Sequence, residues 1–525
     1  MLRISNIKMP INHTDEDVIG KVCKELKVKD SHIIEYKIFK KSLDSRKKNN
    51  IHYIYSVDVK IQNEDRFKKF KNVRIVEEVE YIVPKVKSEY RPIIVGSGPA
   101  GLYCALILAE AGLKPIILER GSDVDTRKQE IDKFWATGDL DPNSNVQFGA
   151  GGAGTFSDGK LTTGTKDSRR TKFLSELIAA GAPEEVAYLA KPHVGTDILI
   201  DVVRNLDSKI RKLGGEIIYN AKFENFVDED NIKHVTYIKD EQEVVVTTDN
   251  LVLAIGHSAR DTFELLASKQ LEMKAKPFSV GVRIEHLQAE LDQNQFGEYC
   301  HSLPAAEYKV NMRTREENRG VYTFCMCPGG VVVAASSEQD MVVTNGMSYY
   351  ARDLENANSA LLVSVSPEDF GGLENPLAGI EFQRQLERSA FVHGGSDYKA
   401  PAQLVRDFQN GTASTELGKV SPSYTRGVKL TNLHDVLPPF ICDALSESLN
   451  VLAGKLDIFA DGEAVMTAVE SRSSSPVTLV RDETYNSSIK GLFPCGEGAG
   501  YAGGIVSAAI DGIRTAEKVI ENITN

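Results

Sequence analysis

The clearest pattern of apolar and polar positions lies between Pro92 and Gly121. A short β-branched run, Ile93 to Val95, leads into a turn with glycines at 96, 98 and 101. A long apolar stretch follows, and a second apolar run at 115–118 ends on Glu119. This order predicts a strand, a glycine turn, a helix and a second strand, which together form the βαβ unit of a parallel sheet.

The glycine turn has the spacing GxGxxG, in which each glycine has a physical role. The first permits a tight turn, the second lets the backbone approach a pyrophosphate, and the third lets helix and strand pack closely. The helix N-terminus offers free N–H groups and a partial positive charge to phosphates. Glu119 stands where a carboxylate accepts hydrogen bonds from a ribose. The sequence therefore predicts a dinucleotide site rather than a merely structural glycine turn.

Residues 1–88 alternate differently and predict a separate small α/β domain. Its elements, in order, are a strand at 2–7, a helix at 15–27 capped by Thr14, strands at 32–39 and 51–61, a helix at 64–71 and a strand at 74–83. The order βαββαβ is typical of a ferredoxin-like layer. The basic loop Arg46–Lys48 would either touch RNA or another polyanion or, as we favour, be a solvated loop.

The segment 143–164 is too rich in glycine to form a regular element unless something orders it. It contains a second GxGxxG, but no apolar strand leads into it, so a second nucleotide fold is rejected. We interpret it as a backbone-lined loop against a flat ligand. Its hydrogen-bond donors to phosphate or ring oxygens would be Ser157, Lys160, Thr162 and Thr163.

Helices are predicted at 172–190 and 197–213, followed by alternating strands from 216 onwards. The last of these strands, Leu251–Ile255, is apolar throughout and stops at Gly256, with His257 next. A buried parallel strand that ends on a glycine suits a sheet whose ligand lies beyond the carboxyl ends of its strands.

From 276 to 475 the sequence pattern changes to short runs of alternating apolar and polar residues, separated by glycine-containing loops and acidic segments. This predicts a mixed sheet with helices, inserted into the nucleotide fold. Cys325 and Cys327 stand at a strand end, where a period of two places both sulfurs on one face. They would form a strained redox pair, hold a metal or, as we favour, be packing thiols near the site, because a CxC without further ligands is a weak zinc signal.

The last 36 residues return to nucleotide-fold character. A strand at 492–494 reaches Gly496 and Glu497, and a second glycine turn, Gly503–Gly504, opens an amphipathic helix. Glu497 is placed to bond a ribityl hydroxyl, and the helix N-terminus to face the flavin pyrimidine edge. Together with the fingerprint about 400 residues upstream, this end selects FAD over NAD.

Length and charge narrow the class of protein. A chain of 525 residues needs several domains, and 42% hydrophobic with 26% charged residues is ordinary for a soluble protein. The net charge of −12 disfavours a nucleic-acid binder, although residues 1–91 hold 21 of the 62 basic and only 14 of the 74 acidic residues. Seven cysteines without a CxxC, no signal peptide and no membrane span predict a cytoplasmic protein.

Six motifs carry a resemblance to a known family: VGSGPAGL, FGAGGAGTFSDGKL, LAIGHSARD, PFSVGVRIEH, CMCPGG and FPCGEGAGYAGGI. The chain resembles the bacterial FAD-dependent dehydrogenases called NAD(FAD)-utilising dehydrogenases. The resemblance implies a Rossmann-like α/β FAD-binding domain of glutathione-reductase type, at 89–275 plus 476–525. An α+β substrate domain at 276–475 interrupts it, and the ferredoxin-like α/β domain at 1–88 precedes it. Glu497 departs from many relatives, which have Asp.

The predicted FAD-binding residues belong to these loops and strand ends. They are Gly96, Ser97, Gly98, Pro99, Ala100, Gly101, Glu119, Arg120, Gly152, Gly154, Thr155, Lys160, Leu161, Thr162, Phe223, Ala254, Gly256, Gly496, Glu497, Gly503, Gly504 and Ile505.

The expected reaction is hydride transfer between flavin N5 and a small-molecule substrate, in a cleft between the FAD-binding and inserted domains. Because a proton usually moves with the hydride, we consider His257, His286, Cys325 and Cys327 as acids and Arg283 as an anion clamp. NADH or NADPH bound transiently, or an external electron carrier, would exchange electrons. The alternatives are an RNA-modifying flavoprotein that uses the basic front domain, and a redox sensor without turnover.

Overall fold

The computed structural model describes residues 1–67, 69–77 and 80–524. The N-terminal elements are β1 (Leu2–Met9), α1 (Asp15–Leu26), β2 (Ile33–Asp44), β3 (His52–Ile61) and β4 (Val73–Ile75). The strands form a sheet in the order β2-β3-β1-β4, with all neighbours antiparallel. Thr14 caps α1 in a capping box with Asp17, and the buried face of α1 packs on the sheet. The strand order and the helix between β1 and β2 agree with the ferredoxin-like layer predicted from the sequence.

Two parts of this domain differ from the pattern. Of the helix predicted at 64–71 the structure describes a 3-10 turn, Glu64–Phe67, and residue 68 lies outside the described part. The last strand spans three residues instead of ten, and residues 78 and 79 of the predicted strand are likewise outside the described part. The Tyr81 hydroxyl donates to Glu517 at 2.7 Å, and Val86 N–H donates to the Ala111 carbonyl at 3.0 Å. Residues from 80 onwards thus run along the next domain, where apolar side chains such as Val83 find a larger buried surface.

The second part begins with the βαβ unit. Its elements are β5 (Ile93–Val95), α2 (Pro99–Glu110), β6 (Ile116–Leu118), α3 (Val124–Thr137), α4 (Arg169–Ala179), α5 (Thr196–Lys212), β7 (Glu216–Ile218), β8 (Lys222–Glu229), β9 (Ile232–Lys239), β10 (Gln242–Thr248), β11 (Leu251–Leu253) and α6 (Arg260–Ser268). The helix predicted at 172–190 is divided: α4 ends at Ala179, and a 3-10 turn covers Glu184–Ala187. Gly181, with φ of 112°, lies at the break.

The third part is the inserted domain and the return to the nucleotide fold. Its elements are β12 (Met273–Ala275), β13 (Phe278–Leu287), α7 (Gln288–Phe296), β14 (Asn311–Arg313), β15 (Gly320–Cys327), β16 (Val331–Ala334), β17 (Thr344–Met347), β18 (Asn356–Val365), α8 (Ala378–Gly394), β19 (Ala400–Leu404), α9 (Val405–Gln409), β20 (Val428–Leu430), α10 (Pro439–Ala453), β21 (Val465–Glu470), β22 (Val477–Leu479), β23 (Leu492–Pro494) and α11 (Ile505–Thr524). The ribbon β12-β22 stands where the chain leaves the nucleotide fold and comes back.

Two sheets determine where a ligand can lie. The parallel sheet β23-β11-β5-β6-β7 packs one face on α2, α5 and α11 and the other on the meander β8–β10, so alternate residues such as Ile93 and Ile94 enter different cores. The inserted domain is built on a mixed sheet, β14-β15-β18-β13-β21-β19-β20, in which only β19 and β20 of the described strands pair in parallel. Among the described helices none has the length and apolar character needed to cross a membrane.

Candidate functional site

The carboxyl ends of β5, β6, β11 and β23 open onto a cavity of about 480 Å³. One wall consists of the glycine turns that follow these strands. The opposite wall comes from the inserted domain, including Glu307, Phe324, Cys325 and Arg472. Ligands of doubly wound sheets bind at this edge, so the cavity is the candidate site.

The glycines of the first turn have two different roles: some allow close packing within the fold, and one leaves space in the cavity. Gly96 has φ of 100°, and a Cβ there would lie 2.4 Å from the Ala254 carbonyl oxygen. A Cβ on Gly101 would lie 1.9 Å from the Gly96 oxygen, so this glycine serves helix packing. At Gly98, the N-cap of α2, a Cβ would meet only the Gly152 Cα at 3.9 Å among described atoms. Gly98 therefore faces open space that a ligand can fill.

Glu119 ties three loops together. Its Oε2 accepts hydrogen bonds from the Ser97 N–H at 2.8 Å and the Ser97 hydroxyl at 2.7 Å. Its Oε1 accepts from the N–H groups of Gly121 and Gly149, both at 3.0 Å. The carboxylate predicted for a ribose thus already holds four protein donors. Beside it, Arg120 donates to Asp261 at 2.8 Å and lies over the Phe148 ring at 4.3 Å.

The glycine loop at 149–154 is ordered by a buried cation. Arg127 of α3 is fully buried and donates to the carbonyls of Asn145, Ala150 and Gly152 at 2.9, 2.7 and 2.9 Å. Burial lowers the pKa of Arg127 to about 10, so the group is charged at neutral pH. The cation replaces the helix or strand partners that these carbonyls lack. The sequence pattern gave no sign of Arg127 because its carbonyl partners lie 18 or more residues away.

The C-terminal turn forms a second cradle. No described atom lies within 4 Å of a Cβ built on Gly503 or Gly504, and α11 begins directly after them. Glu497 lines the cavity, with its Oε1 3.8 Å from Nε2 of His257. Burial raises the pKa of Glu497 to about 7, against the opposing charge of Lys276.

His257 lines the cavity and is mostly covered, with 12% of its side chain exposed. Burial, and then the charges of Arg472 and Arg260, lower the pKa of His257 to about 3. The ring is therefore neutral at physiological pH. His286 lies away from the cavity in the core of the inserted domain, edge-on to Phe459, and neither ring nitrogen has a hydrogen-bond partner among described residues.

Lys160 lies at the junction of the two walls, between two carboxylates. Its Nζ is 3.2 Å from Asp158 and 3.2 Å from Glu307, and Glu307 also pairs with Lys191 at 2.7 Å. Burial acts to lower the pKa of Lys160, but the negative charges around it, chiefly Asp158 and then Glu307, together raise it. The ammonium is thus held charged at the cavity wall.

Arg283 lies behind this wall and is completely buried. It donates to Glu470 at 2.9 Å, to Asn358 at 2.9 Å and to the Cys327 sulfur at 3.5 Å. Its donors are therefore engaged inside the domain rather than aimed into the cavity as the anion clamp we expected. Cys325 lines the cavity, and Cys327 lies beneath it at 0% exposure.

A buried ion network joins the two walls. Arg260 at the start of α6 pairs with Glu387 of α8 at 2.7 Å, and Arg472 pairs with the same carboxylate at 2.8 Å. Arg472 also donates to the Ser258 hydroxyl at 3.1 Å. Burial would raise the pKa of Glu387, but the two guanidinium charges hold it far below its usual range. The network fixes the inserted domain against the end of β11.

The structure brings most predicted site residues to the cavity. Those that line it are Gly96, Gly98, Pro99, Ala100, Glu119, Arg120, Gly152, Gly154, Lys160, Thr162, Phe223, Ala254, Gly256, His257, Cys325, Glu497, Gly503, Gly504 and Ile505. Those that lie behind it are Ser97, Gly101, Thr155, Leu161, Gly496, Arg283 and Cys327. Lining residues that sequence reasoning missed include Gln147, Phe148, Lys191, Glu307, Asn345, Glu470 and Arg472.

The residues present fit a dinucleotide with a flat ring system. Gly98, Gly503 and Gly504 leave space where side chains would otherwise stand, next to the N-termini of α2 and α11. The first intrahelical hydrogen bonds run from the Leu102 N–H to the Gly98 carbonyl in α2 and from the Ala508 N–H to the Gly504 carbonyl in α11. The N–H groups that come before Leu102 and Ala508 in each helix therefore remain available to phosphate or ring oxygens.

Comparison with known proteins agrees with this fit. Residues 91–297 match the model of the FAD binding domain, and residues 277–473 match that of the FAD-dependent protein, C-terminal domain-like. Residues 1–60 match a domain of unknown function. A protein of Clostridium beijerinckii, described as uncharacterized, is 47% identical over 531 residues, covering 99% of this chain and 98% of that protein. The chain belongs to the family of this clostridial protein. It carries an FAD-binding domain.

Solved structures give more distant similarities. A flavoprotein/dehydrogenase from Cytophaga hutchinsonii is 10% identical, with 83% of this chain and 79% of that chain covered and a TM-score of 0.37. A geranylgeranyl bacteriochlorophyll reductase-like protein from Thermoplasma acidophilum is 11% identical, with the same coverages and a TM-score of 0.39. Scores of this size carry no argument about the fold or the activity of this chain.

Proposed function

We propose that the protein is an FAD-dependent oxidoreductase that exchanges a hydride with a small-molecule substrate in the cavity between the two walls. One observation carries this proposal: a single cavity runs from the open glycines of the nucleotide fold to charged and sulfur-bearing side chains of the inserted domain. A cofactor on the first wall would leave its reactive ring facing the second. The alternative of RNA modification has no support in the comparisons.

FAD, when bound, supplies the hydride chemistry. The chain's own residues would then have separate roles. Gly98, Gly503 and Gly504 leave room for the cofactor, and the helix N-termini beside them stabilise its negative oxygens. The charged Lys160, held by Asp158 and Glu307, would orient a substrate oxygen and stabilise negative charge that develops on it.

Proton transfer would depend on groups at the cavity surface. Glu497, with a pKa of about 7, can hold or release a proton at physiological pH, whereas the imidazole of His257 stays neutral there and offers hydrogen bonds rather than a transferable proton. The ion network of Arg260, Arg472 and Glu387 would keep the walls at a constant separation. Transient NAD(P)H, or an external electron carrier, would have to reach the same cavity.

The proposal is tested by reconstitution and anaerobic reduction. The purified protein is incubated with FAD, freed of unbound cofactor and examined by visible absorption, then titrated without oxygen with NADH, NADPH and a panel of small hydroxy acids, amines and enoates. We expect one FAD per chain and bleaching of the oxidised flavin band by at least one donor. A protein that takes up no FAD contradicts the cofactor assignment. Uptake of FAD without reduction of the flavin by any donor would favour the alternative of a redox sensor without turnover.

The Gly98→Val variant provides the control. Its side chain would fill the cradle rather than collide with the fold, since a Cβ meets only Gly152 Cα at 3.9 Å. We expect native circular dichroism and loss of FAD retention. Unchanged retention would show that FAD binds elsewhere.

A further inference from the structure

The two cysteines of β15 lie at an irregular point of the inserted sheet. Phe324 pairs with Ala360 and Cys327 pairs with Asn358, so three residue steps on β15 match two on β18. Cys325 takes a left-handed conformation, with φ of 42°, which is uncommon for a residue other than glycine. The extra residue forms a bulge, and the simple alternation expected for CxC does not hold here.

At the bulge, the segment that holds both cysteines spans less length along the sheet than a regular strand would. In an extended strand the Cα atoms of residues i and i+2 lie about 6.6 Å apart, near the upper limit for a disulfide of about 6.8 Å. Here the segment 324–327 is compressed into the length of about two residues. The Cys327 thiol donates a hydrogen bond to the Cys325 carbonyl at 3.3 Å, so its sulfur already turns back toward Cys325.

The surroundings favour a reactive thiolate on one of the two sulfurs. The buried Arg283 donates to the Cys327 sulfur at 3.5 Å and also to the Cys325 carbonyl. Burial acts to raise the pKa of Cys327, but the interaction with the Cys325 thiol and the charge of Arg283 lower it, whereas the same interaction and burial raise the pKa of Cys325. Burial raises the pKa of Cys104, Cys442 and Cys495 instead.

The position of the pair gives it access to a reaction partner. Cys325 lines the cavity, together with Lys160 and the glycine turns, while Cys327 lies directly beneath it. Among the described residues there is no cluster of three or more His, Cys, Asp or Glu side chains that would hold a metal. Strained backbone at a cavity wall is typical of functional positions.

We propose that Cys325 and Cys327 are a redox-active dithiol that exchanges two electrons with the FAD of the proposed function, on which this inference rests. Each thiol loses one hydrogen, a sulfur–sulfur bond forms, and two electrons and two protons pass to FAD, giving FADH2. In the reverse direction FADH2 reduces the disulfide. Cys325 is the sulfur exposed to the cavity, and Cys327, buried beneath it, is the sulfur that closes the disulfide.

The first test does not use FAD. The apoprotein is equilibrated with mixtures of reduced and oxidised glutathione, quenched with an alkylating agent under denaturing conditions, and mapped by mass spectrometry. We expect a Cys325–Cys327 disulfide in the wild-type protein and none in Cys325→Ser or Cys327→Ser. Cys300→Ser, which changes another partly exposed thiol, is the matched control and should behave as wild type. Absence of the disulfide from the wild type overturns the proposal while the FAD assignment stands.

The second test uses the holoprotein. The oxidised wild-type enzyme is titrated anaerobically with dithionite and should take up about twice as many electrons per FAD as Cys325→Ser. Equal uptake by the two proteins overturns the proposal. Failure to bind FAD in the first place would contradict the proposed function instead, and the glutathione experiment would still decide whether the dithiol exists.

Discussion

The two walls of the cavity are built on different principles. The nucleotide wall consists of glycines and free backbone N–H groups that follow β5 and β23 within about ten residues. The inserted wall consists of side chains from distant segments, such as Glu307 and Arg472, supported by buried ion pairs. A backbone wall is specified by local sequence, because only glycine leaves that space open. A side-chain wall is specified by packing, because each group depends on partners elsewhere in the chain.

The largest expected effect concerns the inserted wall. In Arg283→Met, Glu470 loses its 2.9 Å partner in a fully buried position, and we expect the free energy of unfolding to fall by about 3–5 kcal/mol. Chemical denaturation measures this. Arg388→Met breaks an exposed pair with Asp340 and should cost less than about 1 kcal/mol. Similar losses in the two variants would mean that buried pairs do not hold this wall.

The nucleotide wall should respond differently at two neighbouring glycines. Gly101→Ala places a Cβ 1.9 Å from the Gly96 oxygen and should lower the free energy of unfolding by about 3 kcal/mol. Gly98→Ala should change it by no more than about 1 kcal/mol but weaken FAD binding about tenfold. Denaturation of the apoprotein and FAD titration separate the two effects. If both variants lose only stability, Gly98 has no role toward the cofactor.

A smaller effect is expected from Glu497, where the walls meet. Burial raises its pKa to about 7, so the folded protein keeps this proton up to a higher pH than the unfolded chain does. Its contribution to stability is therefore present below about pH 4.5 and is lost as the pH rises through 7. In Glu497→Gln the free energy of unfolding should lose this pH dependence. Relative to wild type it should therefore rise by about 2 kcal/mol between pH 4.5 and pH 8.

Unfolding of the apoprotein across this pH range measures the gain. The exposed Glu374→Gln is the control and should follow wild type. Parallel pH profiles for wild type and Glu497→Gln would show that the carboxyl is solvated, and that the C-terminal turn is more open than the structure indicates.

Prediction from sequence succeeded where the signal was local. The strand at 93–95, the glycine turn and the capped helix at Thr14 follow from short-range patterns and stand as expected. Prediction failed where a residue's structure depends on contacts with residues far away in the chain. The strand predicted at 74–83 is cut to three residues because the apolar residues after 80 pack on α2 and α11 instead. The anion clamp predicted at Arg283 is instead a buried partner of Glu470.

By itself the sequence determined the parallel sheet, its glycine turns and the return of the chain's end to the same fold, because strand runs and glycines act over a few residues. Only the tertiary structure decided that Arg127 orders the loop at 149–154, that Glu119 holds three loops together, and that Cys325 faces the cavity from a bulge. These depend on burial and on partners far apart in the chain, which hydrophobic periodicity does not record.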